Sequence, residues 1–342
     1  MTLTEAIEAQ TPLVQRLLDG VAAIGADPPG ITREAFGAGE NAAHALVAEA
    51  GRALGLVASI DAGANLTLRW AAAEPATAPV LIGSHLDSVV QGGNFDGAAG
   101  VIAGIASIAA LQAAGIRPRF DIEVLALRCE EAVWFGLGLI GSRCLLARLP
   151  EGALELPHAR GGQTLAQRIA DCGGDPALLR QGTPLRDPRG IGAYLEVHIE
   201  QAPQLIEAGA PVAVCLANPG NVRHPFIRIS GEDAHTGLPH RFRHDAALAA
   251  ADLALSLERL WLAEEAAGRP MAVTIGRLHT DAARHSLTAV AGDCTMSLDL
   301  RGYSADHLAA LEGQLAACVD DVATRRGVRI ALGERSAAAP GR

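Results

Sequence analysis

The stretch APVLIGSHLDSVVQGGNFDGAAGVIAGIASIAALQAAGI, residues 78–116, decides how the chain is read. A short apolar run at 80–83 breaks into polar residues at Ser84, His85 and Asp87, a glycine-rich loop leads to Asp96, and apolar residues dominate from Ala98 onward. A strand, a loop carrying ionisable groups and a buried helix, in that order, form the first part of an α/β unit. The run 98–116 approaches the length of a membrane span. Its many glycines and alanines, with Ser107 and Gln112 among them, fit a buried helix instead.

Working outward, residues 5–25 and 39–55 place apolar side chains at helical spacing, with a helix start at 39–41, and LVASIDAGANLTLRW (56–70) alternates like a strand pair. Downstream, DIEVLALRCEEAV (121–133) reads as a strand ending in acidic residues. AYLEVHIEQA (193–202) reads as a third strand, with Glu196, His198 and Glu200 on one face. Three strands thus deliver ionisable groups at their carboxyl ends, where open α/β sheets bind ligands. The pattern changes near residue 210: strand FIRISG, helix HDAALAAADLALSLERLW, strands AVTIGRL and GDCTMSLDLRG, helix SADHLAALEGQLAACVDDVATRR, strand VRIALGE. This predicts an α/β fold with a catalytic α/β/α sheet domain at 1–209, an inserted β-α-β-β-α-β domain at 210–330 and a tail at 331–342 whose end, SAAAPGR, looks unstructured.

Composition narrows the function classes. The 342 residues carry 28 Lys and Arg against 38 Asp and Glu, a formal net charge of −10, which argues against a polyanionic nucleic-acid partner. Six cysteines without a CxxC pair read as reduced thiols, and the polar, acidic MTLTEAIEAQ is unlike a secretory signal, so a cytoplasmic enzyme with a small-molecule substrate is expected. His85, Asp96, His198 and one of Glu130 and Glu131 are the candidate metal ligands, because imidazole and carboxylate suit zinc or manganese. Asp87 is placed to accept the second N–H of His85. The adjacent carboxylates Glu130 and Glu131 would repel unless a cation neutralises one, leaving the other as general base on a metal-bound water. A hydrolase using Cys129 as nucleophile lacks a histidine beside it in sequence.

The strings TREAFGAGENAAHALV, GSHLDSVVQGGNFDGAAGV, CEEAVWF, LEVHIEQAPQLIEAG and LDLRG resemble the M20 metallohydrolases. They look most like the amidase branch that includes N-carbamoyl-L-amino acid hydrolases, allantoate amidohydrolases and β-ureidopropionases. The resemblance implies that His85 and His198 bind one metal, Asp96 bridges two, Glu131 binds the second and Glu130 is the base. It also implies that the second domain is a lid through which the chain forms a homodimer. In GEDAHTGLPHRFRHDAA, His235 matches the histidine that polarises the scissile carbonyl, and His240 and His244 are expected at the surface. Arg301 matches the arginine that holds a substrate carboxylate, Gln201 a polar residue beside a ligand, and Thr288 a family asparagine, all three expected to contact substrate.

Departures are also visible. Ala132 replaces a family glycine, Trp134 a family arginine and Ala202 another glycine. The family's fifth ligand, a histidine late in longer chains, has no counterpart before Arg342. The expectation is therefore one or two Zn2+ or Mn2+ ions, one of them held by His85, Asp96 and His198, with Glu131 lacking its partner for the second. Three outcomes follow from the sequence: a hydrolase of C–N bonds in N-carbamoyl amino acids or ureides, an aminoacylase or dipeptidase of the broader group, or a non-catalytic homologue.

Overall fold

The computed structural model describes residues 1–73 and 78–341, and the chain divides into two compact units, Met1–Gln204 and Leu205–Arg342. The boundary expected at 209/210 thus falls a few residues earlier.

The first unit opens with α1 (Leu3–Glu8), α2 (Thr11–Gly25) and α3 (Ala38–Ala53). Residues 5–25, expected as one helical stretch, are two helices, because Pro12 at the start of α2 has no N–H to donate and its ring crowds the preceding turn. The strand pair follows as β1 (Val57–Ile60) and β2 (Leu66–Trp70), then β3 (Val80–His85), α4 (Ala98–Ala113), β4 (Ile122–Leu127) and β5 (Ala193–Leu195). These strands form one sheet in the order β1-β2-β4-β3-β5. The two hairpin-side pairings are antiparallel, whereas β3 runs parallel to both β4 and β5.

Helix α4 is the crossover between β3 and β4, and Ile102, Ile105 and Ile108 are fully buried in the core it shares with α2, α3 and the sheet. Each such burial stabilises the fold by roughly 2 kcal/mol. Among the described residues no helix is long and apolar enough to cross a membrane.

One strand is shorter than its pattern suggests. The β3–β5 ladder ends at Ile82 opposite Leu195, so Glu196, His198 and Glu200 lie beyond the sheet instead of along one strand face. Side-chain hydrogen bonds, not ladder bonds, hold the chain from Glu196 onward.

The second unit contains β6 (Gly220–Ser230), α5 (Ala246–Ala266), β7 (Met271–Thr274), β8 (Leu278–Thr280), β9 (Asp293–Gly302), α6 (Ala305–Arg326), β10 (Arg329–Ala331) and β11 (Ser336–Ala338). Its antiparallel sheet has the order β7-β9-β6-β10, with β8 pairing β9 and β11 pairing β6. This is the expected β-α-β-β-α-β arrangement. Alternation in β9 puts Cys294, Met296, Leu298 and Leu300 into the core against α5 and α6 and leaves Asp299 and Arg301 on the other face. Both helices begin on a side-chain cap, Asp245 and Ser304, and α6 ends on Gly327 with φ +64°.

The tail expected to be unstructured is instead recruited to the sheet: Ser336, Ala337 and Ala338 pair with Arg223, Val222 and Asn221. Backbone groups of β6 left open beside β10 supply the bonds, and such bonds do not depend on side-chain pattern. His240 is exposed as expected. His244 is partly buried, because Gly327, lacking a Cβ, lets its imidazole pack closely.

Candidate metal centre

Strands β3 and β4 end side by side, His85 opposite Leu127, so the loops that follow them share one edge of the sheet. That edge is where the carboxyl ends of parallel strands meet a ligand. His85 and Asp87 are buried there, Asp96, Glu130 and Glu131 are partly buried, and His198 and Gln201 reach the same place from the segment after β5.

Asp87 organises the edge. Its Oδ1 lies 3.3 Å from Nδ1 of His85, and its two oxygens accept from the backbone N–H groups of Glu130 and Glu131, each at 3.1 Å. The same Nδ1 lies 3.1 Å from the Asp87 carbonyl oxygen. With only acceptors around it, Nδ1 carries the proton of the neutral ring, and Nε2 presents its lone pair to the site.

Gly97 makes room for this ring. Its φ is +67°, and a Cβ there would sit 2.6 Å from three atoms of the His85 imidazole.

The donor atoms converge. Ligand atoms of His85, Glu130 and Glu131 all lie within 4.8 Å of one another. Asp96 Oδ1 is buried without a hydrogen-bond donor, and two imidazole Nε2 atoms approach it, that of His198 at 3.3 Å and that of His85 at 3.9 Å. The other Asp96 oxygen accepts from the Gln201 side chain at 2.8 Å.

Electrostatics show what the cluster wants. Burial lowers the pKa of His85, but the hydrogen bond and charge of Asp87, with the charges of Glu130 and Glu131, more than offset this and raise it to about 9. Burial pushes Glu131 up to about 7, reinforced by Glu130, Asp87 and Asp96 against the attraction of His85. Glu130 is raised by burial in the same way. Four carboxylates around two imidazoles hold an excess of negative charge that a divalent cation would neutralise. A set of carboxylate and imidazole donors with one orphaned buried oxygen therefore fits such an ion.

Several contributors escaped the sequence reading. Glu40 on α3 is fully buried and accepts from Arg128 Nη1 at 2.7 Å, from the Phe36 N–H at 2.6 Å and from the Cys129 N–H at 3.3 Å. Arg128, also buried, donates Nε to the Ala64 carbonyl. Together they hold Cys129 at φ +50°, an unusual conformation for a side chain with a Cβ, and so aim the two following amides at Asp87. A signal existed: Glu40 falls on the same α3 face as Ala43, Val47 and Gly51, and a carboxylate on an apolar stripe needs a buried partner.

Arg33 is likewise buried, with Nε donating to Leu86 O and Nη1 to Asn94 Oδ1, and it pins the loop between His85 and Asp96. Trp134, where the resemblance leads to an arginine, is buried and donates its indole N–H to Ser88 O at 3.0 Å. Burial drives the Cys129 thiol well above its usual range, so it is not poised as a nucleophile.

In the second unit, His235 and Thr288 are neighbours across a short bridge: Ala289 pairs with His235, and the Thr288 carbonyl accepts from the Thr236 N–H at 2.9 Å. His235 is exposed, and its Nδ1 accepts from the Gly237 N–H at 3.1 Å, which leaves Nε2 as the protonated, donating nitrogen. Arg301 is elsewhere. It lies eight residues along β9 from Asp293, roughly 26 Å at the rise of an extended strand, and its Nε and Nη2 both donate to Asp299 Oδ2, at 3.2 and 2.9 Å. His307 is held by Glu264 at 3.0 Å, a partner inside this unit.

Comparison with known proteins places these features. The description "Peptidase family M28" matches residues 65–155, the stretch that contains His85, Asp87, Asp96, Glu130 and Glu131. The chain is 36% identical over 321 residues to the N-carbamoyl-L-amino acid amidohydrolase of Geobacillus stearothermophilus, covering 93% of this chain and 76% of that one. It is 27% identical over 351 residues to a ureidoglycolate hydrolase of Arabidopsis thaliana, with 96% of this chain and 69% of that one covered. The crystal structure of a hydantoinase/carbamoylase family amidase from Burkholderia ambifaria superimposes with a TM-score of 0.82 at 33% identity, over 96% of this chain and 78% of that one. With its sheet edge, its convergent imidazoles and carboxylates and these relatives, the chain belongs to the hydantoinase/carbamoylase family of amidases.

Proposed function

We propose that this amidase hydrolyses the C–N bond of a small N-carbamoyl amino acid or ureide-type substrate rather than an ordinary peptide bond. The observation that carries the reading is the convergence of His85, His198 and the carboxylates of Asp96, Glu130 and Glu131 at one sheet edge, in a chain 36% identical to an N-carbamoyl-L-amino acid amidohydrolase. The family implies divalent metal ions. Zn2+ or Mn2+ suits the nitrogen and oxygen donors, with His85, Asp96 and His198 holding one ion and Glu131 available to a second. When bound, such a cation supplies Lewis-acid polarisation of a carbonyl oxygen and of water.

The chain's own groups do the rest. Glu130, with its carboxyl raised by burial, takes a proton from the attacking water and returns it to the leaving nitrogen. Asp87 fixes the His85 ring and both glutamate amides, and Gln201 steadies Asp96 and contacts substrate. His235 donates from Nε2 to the developing oxyanion, Thr288 lies beside it, and Arg301 grips a substrate carboxylate.

A homodimer formed through the second unit is supported by a row of exposed leucines along α5, Leu248, Leu255 and Leu262. Six unpaired thiols suit a reducing, cytoplasmic setting.

The test is Glu130→Gln. Turnover of N-carbamoyl amino acids and of allantoate should vanish while metal content, measured by mass spectrometry, stays at the wild-type level. Loss of metal would show that Glu130 is the ligand and Glu131 the base. Wild-type protein that is inert on both substrates with added Zn2+ or Mn2+ would sink the enzyme reading.

A further inference from the structure

His85 and His198 reach the centre by different routes. His85 is the last residue of β3 and is held by its ladder with β4. His198 has no ladder, since β5 stops pairing at Leu195, and Val197 and the His198 side chain are 53% and 46% exposed. Packing therefore does not place this imidazole, yet its Nε2 lies 3.3 Å from Asp96 Oδ1.

The link between the two routes is Glu196. Its Oε1 accepts from Ser84 Oγ at 2.6 Å, and its Oε2 lies 2.9 Å from the Tyr194 hydroxyl, which is also 3.1 Å from the Gly83 carbonyl oxygen. Both carboxylate oxygens are thus tied to residues of β3 or to the side chain bridging to it. Ser84 immediately precedes His85, and Glu196 lies two residues before His198. A second contact acts beside it: a Cβ on Gly100 would sit 2.7 Å from the Val197 carbonyl oxygen, so the bare glycine of α4 lets this segment settle against the helix.

We infer that Glu196 is a positioning residue whose hydrogen bond to Ser84 sets the separation of His85 and His198, and with it the affinity of the centre for its cation. This rests on the metal-centre reading above. A hydrogen bond to an ionised carboxylate is short and directional, and groups that orient ligands in this way typically change metal affinity ten- to a hundredfold when removed. Without the bond, His198 sits on an exposed chain free to sample other rotamers, and each binding event must order it again.

The test uses the full chain, with Zn2+ and Mn2+ affinities measured by competition with a chromogenic chelator. Ser84→Ala and Glu196→Ala should each weaken binding about ten- to a hundredfold, and the double variant should be no weaker than the poorer single one. Glu196→Gln should recover most of the affinity, because its amide oxygen still accepts from Ser84 and its NH2 can serve the Tyr194 oxygen. The thermal midpoint of metal-free protein should move little in Ser84→Ala, which separates positioning from folding. Affinities unchanged in both single variants, or losses that multiply in the double, would overturn the inference. His198→Ala is the control. If it loses metal while the Ser84 and Glu196 variants keep it, the centre stands and the positioning role falls, whereas wild-type affinity in His198→Ala overturns both.

Discussion

Replacing Arg128 with methionine tests the buried pair beneath the centre. The change keeps much of the length of the side chain but removes the guanidinium that donates to Glu40 and to the Ala64 carbonyl. Glu40, fully buried, is left with the Phe36 and Cys129 amides and with His44 Nε2 4.0 Å from its Oε1. Removing one member of a buried ion pair costs about 3–5 kcal/mol, because the remaining charge stays out of water. The loss should also depend on pH. Burial already raises the Glu40 carboxyl above its usual range, against the pull of Arg128, and deleting Arg128 raises it further. Folded variant then binds a proton that the unfolded chain releases at an ordinary carboxylate pKa. Its stability falls as pH rises between those two values, by up to about 1.4 kcal/mol per pH unit. Relative to wild type, the deficit should be larger when measured at about pH 8 than at about pH 5.5. Urea titration of chelator-treated protein, followed by the fluorescence of buried Trp134, reports on the first unit. A deficit below about 1 kcal/mol at both pH values, or one that ignores pH, would refute the argument.

Two further outcomes can be checked directly. Gly97→Ala forces a Cβ against the His85 ring at φ +67°, so metal affinity should fall at least about tenfold; unchanged affinity would mean the ring is not where Gly97 admits it. In the second unit, Glu264 is held at about 2 by hydrogen bonds from Arg269 first and His307 next, a depressed carboxylate whose stabilisation is complete above about pH 4.5 and disappears as pH falls toward 2. Arg269→Met should therefore destabilise this unit at neutral pH and flatten its acid unfolding profile, read by circular dichroism. An acid midpoint identical to wild type would contradict it.

The sequence exposed those features that follow from pattern. His85, Glu130 and Glu131 were legible because each stands where an apolar strand turns polar, and the parallel pairing of β3 with β4 then brings the strand ends together. The second unit was legible because β9 alternates strictly and its flanking helices are long and capped. What stayed hidden depends on contacts distant in sequence. Glu40 and Arg128 are 88 residues apart, and neither position alone announces an ion pair. The segment at 196–200 keeps strand-like alternation yet leaves the sheet once its single neighbour stops pairing. The tail strand at Ser336–Ala338 joins β6 through its backbone, which an alanine-rich stretch cannot signal. Arg301 falls near the end of the expected strand GDCTMSLDLRG, but that pattern does not announce the two hydrogen bonds its guanidinium donates to Asp299.

Asp87 holds the loop after β4 by its main chain: its carboxylate bonds to the amides of residues 130 and 131, not to their side chains. The position of this loop is thereby separated from the identity of what it displays. Side chains at 130 and 131 can be exchanged for other donors, harder or softer, without releasing the backbone that carries them. The edge of the sheet is in this respect a socket whose contacts can be changed one at a time, which makes these two positions the natural place to re-engineer the cation preference of the centre.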